Sequence, residues 1–294
     1  MVTRSRPVLR LVRERKLAEL IAPPKGGGVL EASGVFAKGR DCFVIFDNLR
    51  RVARIDRDLS PGSPRHAWLG RTRSGEGYED IAYSPRQRRF YLLIEAEKHP
   101  DGSFKAVIEE CDEEFRPTGR RFVDFAFEKR NTGFEGLSAV HWRGQDYLLA
   151  LCEGNRCRPG RKGRKPGGGR IHVLRRKGKL WRPEATIKLP RRMGFEDHSA
   201  LAIRGERIAV VSQQTSRLWL GKLRRDDWTI AGAGRCYDFP RTRKGKLLYC
   251  TVEGLSWLND DTFVAVSDLS KPYQPGRCER KEQSIHVFRL PGSR

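Results

Sequence analysis

The sequence predicts an all-β protein, and three observations support this prediction. A motif of the form Glu-x-x-[Ser/Ala/Gly] occurs five times, at intervals of 48 to 61 residues. Each copy runs into a short apolar segment and is followed, about sixteen residues after its glutamate, by an Asp, Glu or Gln. Turn-forming residues such as Gly, Pro, Asn and Asp separate the apolar segments. A repeat of this length in an all-β chain is typical of a β-propeller.

The repeat predicts five blades. The five copies begin at Glu31 (EASGVF), Glu79 (EDIAYS), Glu135 (EGLSAV), Glu196 (EDHSAL) and Glu253 (EGLSWL). Their second apolar runs end on Asp47, Glu95, Glu153, Gln213 and Asp268. No interval between glutamates is long enough for a second complete blade, so we count five. Six blades remain possible if residues 1–30 contain further strands.

Four strands can be assigned to most copies, in the order in which they follow each glutamate. The first strand starts directly after the glutamate. Second strands are predicted at 43–46, 90–94, 147–151, 208–211 and 263–266, where every residue is apolar, as expected for strands buried on both faces. Third strands are predicted at 52–55, 106–108, 171–174, 218–220 and 285–288, and fourth strands at 66–69, 122–125, 185–189 and 237–239.

The fifth copy has no fourth strand, because the chain ends soon after its third one. An N-terminal strand at 16–21 could take that place and close the ring, which would remove the exposed sheet edges. We therefore expect residues 1–294 to form a single propeller domain. Residues 155–170 (NRCRPGRKGRKPGGGR) are rich in Gly, Pro and Arg and are predicted to be a flexible basic loop inserted into it.

The five glutamates are candidate metal ligands. The inner strand of each propeller blade lines the central channel, so Glu31, Glu79, Glu135, Glu196 and Glu253 should form a ring at one channel mouth. Converging carboxylates repel one another and raise their pKa values unless cations neutralise them. A hard cation with oxygen ligands suits such a ring, and Ca²⁺ is the natural choice. The alternative is that each glutamate braces its blade through hydrogen bonds or ion pairs.

The same geometry places further candidates at this mouth. Asp47, Glu95, Glu153 and Asp268 should stand behind the ring, where they could orient a water molecule in catalysis. The loops that share this rim carry the candidate substrate-binding residues Arg51, Arg73, Arg130, Arg156, Arg192 and Arg243. Arginines around a metal could clamp a phosphate or carboxylate, although a merely solvated basic surface explains them as well. His198 could serve as a base or a ligand, but a buried structural role is the simpler interpretation.

The chain carries a net charge of +23, which favours anionic partners such as small phosphorylated molecules, polyanions or nucleic acid. A compositional bias toward arginine explains the total charge equally well. A nucleic-acid-binding motif is not recognisable beyond the charge itself. No run of residues approaches the roughly 18 apolar residues of a membrane span, and we expect a monomer.

The seven cysteines form no CxxC pair, and their number is odd. Cys152 and Cys157 could meet across a hairpin, but one such pair is weak evidence for a disulfide. The N-terminus has charges but no uninterrupted apolar core, so it makes a poor secretory signal. These features favour a reducing cytoplasm.

The EASG, FEGLS, FEDHSAL and VEGLS openings, each followed by an apolar strand that ends on Asp or Glu, resemble the phytase-like and SdiA-regulated propeller families. Five blades with a Glu/Ser ring are also similar to the calcium-dependent nucleotidases of the apyrase type, in which a central Ca²⁺ lies beside the nucleotide. That resemblance implies Glu79, Glu135, Glu196 and Glu253 as metal ligands, with Glu31 or Ser33 completing the set. The dense acidic substrate site of phytases is not recognisable, and neither are the nucleotide contacts of the nucleotidases.

The sequence therefore predicts a calcium-binding propeller, with metal-dependent hydrolysis of phosphate esters or anhydrides as its candidate reaction. The alternative is a non-catalytic propeller that binds an acidic polymer or a protein partner and keeps the ion for structure. Propellers have many unrelated functions, so the fold does not choose between the two.

Overall fold

A computed structural model describes residues 6–24, 28–70, 77–130 and 132–292. Within these residues the chain is built from strands, with a few helical turns. The all-β prediction is confirmed.

The strands fall into groups of consecutive hairpins. They are β1 (Arg10–Lys16), β2 (Ala32–Lys38), β3 (Asp41–Phe46), β4 (Val52–Asp56), β5 (Ala67–Leu69), β6 (Asp80–Ser84), β7 (Arg89–Lys98), β8 (Phe104–Cys111), β9 (Pro117–Phe127) and β10 (Phe134–Trp142). They continue with β11 (Gln145–Cys152), β12 (Arg170–Lys177), β13 (Leu180–Lys188), β14 (Ala200–Arg204), β15 (Arg207–Ser212), β16 (Arg217–Arg224), β17 (Thr229–Asp238), β18 (Val252–Trp257), β19 (Thr262–Ser267) and β20 (Ser284–Arg289). Two short α-helices, α1 (Leu17–Leu20) and α2 (Gly160–Gly163), and three 3₁₀ turns, Asn155–Cys157, Arg191–Met193 and Cys278–Arg280, complete the list.

The strands form antiparallel meanders of four. The orders are β2-β3-β4-β5, β14-β15-β16-β17 and β1-β20-β19-β18, and one further sheet of eight strands combines β6 to β9 with β10 to β13. The strand pairing between those two halves is a parallel one of Trp181 with Val123, each on the outermost strand of its half. Each meander therefore corresponds to one copy of the sequence repeat.

The closing N-terminal strand lies earlier in the chain than the sequence predicts. The strand Arg10–Lys16 pairs with β20 along its length, whereas most of the predicted segment 16–21 forms the helical turn α1. An outer strand is covered on one side only, so its residues can remain charged, and the sequence RLVRERK gives no apolar signal. Leu17 and Leu20 are buried by the helical turn instead.

The inner strands β2, β6, β10, β14 and β18 contact one another in a closed cycle. The Leu137 N–H donates to Asp80 Oδ2 at 2.6 Å, which joins β10 to β6. Ser138 Oγ donates to the Leu201 carbonyl at 3.2 Å, and the Trp257 indole N–H lies 3.4 Å from the Ala202 carbonyl. The last two links of the cycle are the Ala37 N–H with Ser256 Oγ at 3.1 Å and the close approach of Gly34 to Asp80.

A channel therefore runs between the inner strands. Toward the ends of these strands it contains a cavity of ≈ 240 Å³, to which all five inner strands contribute. The opposite mouth lies where the inner strands begin and where the second strands of the meanders end. Asp47 and Asp268, which directly follow β3 and β19, lie at this end of the channel, which we call the acidic mouth.

The hydrophobic core lies between the faces of neighbouring sheets. Val44 and Phe46 of β3, for example, pack in one buried cluster with Val264 of β19 and Ile285 of β20. Second strands such as β3 are covered on both faces, which explains why they are apolar at nearly every position.

Candidate functional site

The strand register decides which residues stand at the acidic mouth. Equivalent residues of the second strands pair with the inner strands as follows: Ile45 with Gly34, Leu93 with Asp80, Leu151 with Gly136, Val211 with Ala200, and Val266 with Gly254. The residue before each inner-strand partner is therefore structurally equivalent in the five meanders, and we name it the ring position. The ring positions are Ser33, Glu79, Glu135, Ser199 and Glu253.

Three of the five predicted glutamates thus occupy the ring position, and two do not. In the first and fourth meanders a serine stands there, and each serine hydroxyl joins its meander to the next one. Ser33 Oγ donates to the Tyr78 carbonyl, and Ser199 Oγ donates to the Val252 carbonyl at 2.8 Å. The register places Glu31 two residues and Glu196 three residues before the ring position.

Glu31 nevertheless reaches the acidic mouth from its earlier position. Its carboxylate lies with those of Asp47 and Asp268 in a group whose ligand oxygens are all within 4.8 Å of one another. We call these three residues the mouth cluster. Asp47 follows β3 directly, and its backbone N–H donates to the Glu31 carbonyl at 3.0 Å, which fixes the two residues side by side.

The mouth cluster contains carboxylate oxygens that have no hydrogen-bond partner among the described residues. Asp268 is fully buried, and its Oδ1 is unpartnered, as is Oδ1 of Asp47. The other oxygen of Asp268 accepts a hydrogen bond from Lys271 Nζ at 2.7 Å. Buried polar atoms almost always have a hydrogen-bond partner, so these two oxygens are candidates for binding a ligand.

The electrostatics of the mouth cluster agree with this. Burial, and after it the charges of Asp268 and Glu31, raises the pKa of Asp47 to about 7. Burial alone would lower the pKa of Lys271, but the hydrogen bond and the charge of Asp268 outweigh it and raise that pKa. One lysine is thus held against three carboxylates, and the charge of the cluster is only partly neutralised.

The glutamates at the ring position face the same space. Burial is the largest influence on Glu79, Glu135 and Glu253, and it raises the pKa of each of them well above its ordinary value. Repulsion by the other mouth carboxylates adds to it in all three. The strongest such repulsion comes from Asp268 for Glu253 and from Glu79 for Glu135. Asp47 and Asp268 of the mouth cluster act on Glu79 and Glu253, whereas Glu135 is influenced by Glu79, Glu153, Glu253 and Glu95.

Glu95 and Glu153 form the second acidic group of this mouth. Burial, and then the charge of Glu153, raises the pKa of Glu95 to about 7. The pKa of Glu153 is raised by burial and by the charge of Asp197, and the positive charge of Arg164 opposes this. Arg164, whose charge lowers the pKa of Glu153, belongs to the 155–170 insert.

Glu196 lies outside the acidic group, because its side chain is exposed. The neighbouring Asp197 is buried instead and accepts hydrogen bonds from the Ser212 hydroxyl and the Gln214 N–H. Burial raises the pKa of Asp197 to about 6 despite these bonds. Sequence reasoning missed Asp197 because the motif FEDHSAL offers two adjacent acids and the repeat was aligned on the first.

His198 has a structural role in the fold. Its ring is buried, and Nδ1 lies 3.1 Å from the Glu153 carbonyl, which also accepts the His198 backbone N–H at 2.9 Å. Burial lowers the pKa of His198 to about 4, so the ring is neutral at pH 7. The histidine thereby ties the fourth meander to the end of β11.

The predicted arginines differ in their surroundings. Arg51 lies against the Trp68 ring, with 5.2 Å between its guanidinium carbon and the ring centroid. Four others, Arg130, Arg156, Arg192 and Arg243, have exposed side chains. Arg73 falls outside the described residues.

The insert contains more local structure than its composition suggests. Buried Asn155 donates from its side-chain amide to the carbonyls of Gly163 and Phe195, at 2.8 and 3.2 Å, and its side-chain oxygen accepts the Gly168 N–H at 2.8 Å. One asparagine thus holds both ends of the insert against the fourth meander. The flexibility of residues 155–170 stays a prediction.

Two disulfides are present, Cys152–Cys157 and Cys250–Cys278. The first is the pair that the sequence left open. Structural disulfides persist in oxidising compartments and are rare in the cytosol, so the cysteine pairing does not support the cytoplasmic expectation. Among the described residues, none of the helices has the length and apolar character needed to cross a membrane.

Comparisons with known proteins extend the description of the fold. No family model matches the sequence, and no curated protein matches it. The structure is similar to the glutaminyl cyclase of Myxococcus xanthus, with a TM-score of 0.57 and 12% identity over 97% of both chains. It is also similar to the PQQ-bound aldose sugar dehydrogenase of Streptomyces coelicolor, with a TM-score of 0.51 and 13% identity over 96% of this chain and 98% of the other. At these identities the similarity shows the fold alone, which is of the β-propeller type.

Proposed function

We propose that this chain is a calcium-binding β-propeller of five blades that holds its ion at the acidic mouth of the channel. The observation that carries the proposal is the mouth cluster of Glu31, Asp47 and Asp268, with its two buried oxygens that lack a hydrogen-bond partner. Three carboxylates this close repel one another strongly in a partly buried site, and a divalent cation would turn this repulsion into attraction.

The donor set fits calcium better than it fits a transition metal. Every candidate donor of the mouth cluster is a carboxylate oxygen. The charges of Asp47 and Asp268 also raise the pKa values of Glu79 and Glu253. Ca²⁺ takes six to eight oxygen ligands in flexible geometry, whereas Zn²⁺ favours nitrogen and sulfur. Glu31, Asp47 and Asp268 would hold the ion, with Glu79 and Glu253 facing it from the ring position.

The blade count belongs to the same proposal. Each copy of the repeat gives one four-stranded meander, and the inner strands contact one another in a closed cycle. We therefore count five blades, closed by the strand Arg10–Lys16. Asp47 comes from the first blade and Asp268 from the last, so an ion between them would join the two ends of the ring.

As a reaction for this site we propose hydrolysis of phosphate esters or anhydrides. A bound Ca²⁺ would supply Lewis-acid polarisation of a phosphoryl oxygen. Glu95 would accept a proton from water, because its raised pKa of about 7 lies near the working pH of a general base. Glu153 would hold this water from the other side, and Arg164, whose charge acts on Glu153, would face the phosphoryl group.

The reaction is tested by phosphate release from nucleotides and sugar phosphates, with calcium and with a chelator. The proposal expects release that depends on calcium, falls at least about 100-fold in Glu95→Gln, and is unchanged in Asp226→Asn. Asp226 is an exposed acid in a surface pair with Arg143 and serves as the matched control. Calcium binding without phosphate release from any of these substrates would refute the reaction but leave the ion site standing.

A second candidate function is the binding of a polyanion, with the ion kept for structure. The insert favours it, since its basic residues Arg156, Arg161 and Lys162 have exposed side chains. Polyanion binding weakens steeply as the salt concentration rises. Binding of an anionic polymer that persists after Glu95→Gln and disappears between low and high salt would favour this function over hydrolysis.

A further inference from the structure

A second group of potential metal ligands lies at the end of β11, outside the mouth cluster. Cys152 ends β11, Cys157 lies in the 3₁₀ turn that follows, and His172 is on the neighbouring strand β12. Their ligand atoms, two sulfurs and one imidazole nitrogen, all lie within 4.8 Å of one another. All three residues are buried. Two sulfurs with one nitrogen form a different donor set from the oxygens of the mouth cluster.

His172 presents a nitrogen to this group in a form suited to a metal. Its Nε2 lies 3.4 Å from Cys157 Sγ, and its Nδ1 lies 3.3 Å from the Thr186 hydroxyl, which fixes the ring orientation. Metal-ligating histidines commonly use the second ring nitrogen for such a contact.

The chain between the cysteines also suits a metal site. Four residues separate Cys152 from Cys157, which lies within the range typical of zinc-binding cysteine pairs. The surroundings are apolar, since the His172 ring lies 4.4 Å from the Phe125 ring and 5.8 Å from the Phe134 ring, measured between centroids. Two thiolates and one Zn²⁺ have no net charge together, which limits the cost of burying the ion there.

We propose that Cys152, Cys157 and His172 form a zinc site when the Cys152–Cys157 disulfide is reduced. A dithiol reductant breaks the S–S bond, is itself oxidised to a disulfide, and leaves two protein thiols. Zn²⁺ then binds the two sulfurs and His172 Nε2, and the two thiol protons are released to solvent. A water molecule would fill the fourth tetrahedral position. Disulfide and metal exclude each other, so the site is loaded only in the reduced protein.

The test is a Co²⁺ titration of the full chain, with Co²⁺ as the spectroscopic substitute for zinc. The oxidised protein and the protein reduced with a dithiol are compared by absorbance. Thiolate ligands give Co²⁺ an intense near-ultraviolet charge-transfer band, whereas the oxygen ligands of the mouth cluster give none. We expect the band in the reduced wild-type protein, its absence in the oxidised protein, and its removal by an added excess of Zn²⁺.

Variants separate this site from other thiols. Cys157→Ser should abolish the band, and His172→Ala should weaken Co²⁺ binding at least about tenfold. The double variant Cys250→Ser with Cys278→Ser removes the other disulfide and is the matched control, because no histidine nitrogen joins its sulfurs in such a group within the described part of the chain. This control should keep the band.

Two results would overturn the proposal. One is a reduced wild-type protein that binds Co²⁺ without a charge-transfer band, since this would place the metal on oxygen ligands. The other is a band that survives in Cys157→Ser, since the sulfur would then come from elsewhere. The comparison of oxidised and reduced wild-type protein needs no substitution, so the test holds even where a variant fails to fold.

Discussion

The replacement Asp47→Asn should change stability in opposite directions with and without calcium. In the absence of an ion, the carboxylate of Asp47 is repelled by those of Asp268 and Glu31, because the ligand oxygens of the three residues lie within 4.8 Å of one another. Asparagine keeps the shape of the side chain and removes this charge. In calcium the same replacement removes one of the three ligands of the mouth cluster.

The structure sets the size of the effect. Two unit charges 4.8 Å apart repel by about 3 kcal/mol at an effective dielectric constant of about 20. Lys271 offsets part of this repulsion through Asp268, so we expect a net gain of about 1 to 2 kcal/mol for Asp47→Asn at pH 8 without calcium. For a chain of 294 residues, each kcal/mol corresponds to about 2 °C in melting temperature.

The assay is thermal unfolding at pH 8 in chelator and in calcium. In chelator, Asp47→Asn should melt about 2 to 4 °C above the wild-type protein. Asp268→Asn should melt below it, because this replacement leaves the Lys271 ammonium without its partner. In calcium at 100 times its dissociation constant, the wild-type protein should gain about 2.7 kcal/mol, and both variants should gain less. If Asp47→Asn is less stable than wild type in chelator, the carboxylate of Asp47 is not repelled by its neighbours. If the variant keeps the full stabilisation by calcium, Asp47 is not a calcium ligand.

Three further predictions concern the same mouth. Without calcium, the melting temperature should fall as the pH rises from about 4 to about 7. The reason is that Asp47 holds its proton more tightly in the folded chain, where its pKa is about 7, than in the unfolded chain. A melting temperature that rises over this interval would show that the carboxylates are paired. Glu196→Gln should leave the calcium affinity unchanged, because this side chain is exposed, and isothermal titration calorimetry checks it against the tenfold or larger loss that a ligand would give. Asp80→Ala should lower the free energy of unfolding by about 1 to 3 kcal/mol, since it leaves the buried Leu137 N–H without its acceptor; urea unfolding measures this, and a loss below about 0.5 kcal/mol would contradict the bracing role.

The repeat in the sequence was sufficient to predict an all-β fold with four strands in most copies. Apolar runs such as 43–46 mark strands that are covered on both faces, and this pattern survives whatever the loops do. The outer strand Arg10–Lys16 could not be found in this way, because it is covered on one side and carries four charged residues in succession, Arg13 to Lys16.

The candidate site was predictable in composition but not in register. Inner strands of three blades contain a register shift at their start, between Ala32 and Gly34 in the first blade, for example. These shifts do not decide which residue stands at the ring position, because meanders with a shift have Ser33, Glu135 or Glu253 there, and the fourth meander, with Ser199, has no shift. Ser33 and Ser199 stand where Glu31 and Glu196 were expected because the glutamate of these two copies lies two or three residues earlier, an offset that the apolar pattern does not show. Asp47, Glu153 and Asp268 directly follow the ends of second strands, and the sequence does show where these strands end.

The bracing role that the sequence offered as an alternative for the glutamates belongs partly to another residue. Asp80 is buried, and its two carboxylate oxygens accept the N–H groups of Ile81 and Leu137. It occupies the position that is Gly34, Gly136 and Gly254 in three other blades. The repeat aligned the glutamates and gave no reason to single out the residue that follows one of them.

If the mouth cluster binds calcium, the metal content of the purified chain will show it. The wild-type protein and the double variant Asp47→Asn with Asp268→Asn are loaded with calcium and dialysed against metal-free buffer. Their calcium content is then measured by inductively coupled plasma mass spectrometry. We predict one equivalent of calcium retained by the wild-type chain and none by the variant. Equal calcium content in the two proteins, or calcium absent from both, would show that Asp47 and Asp268 do not hold a calcium ion.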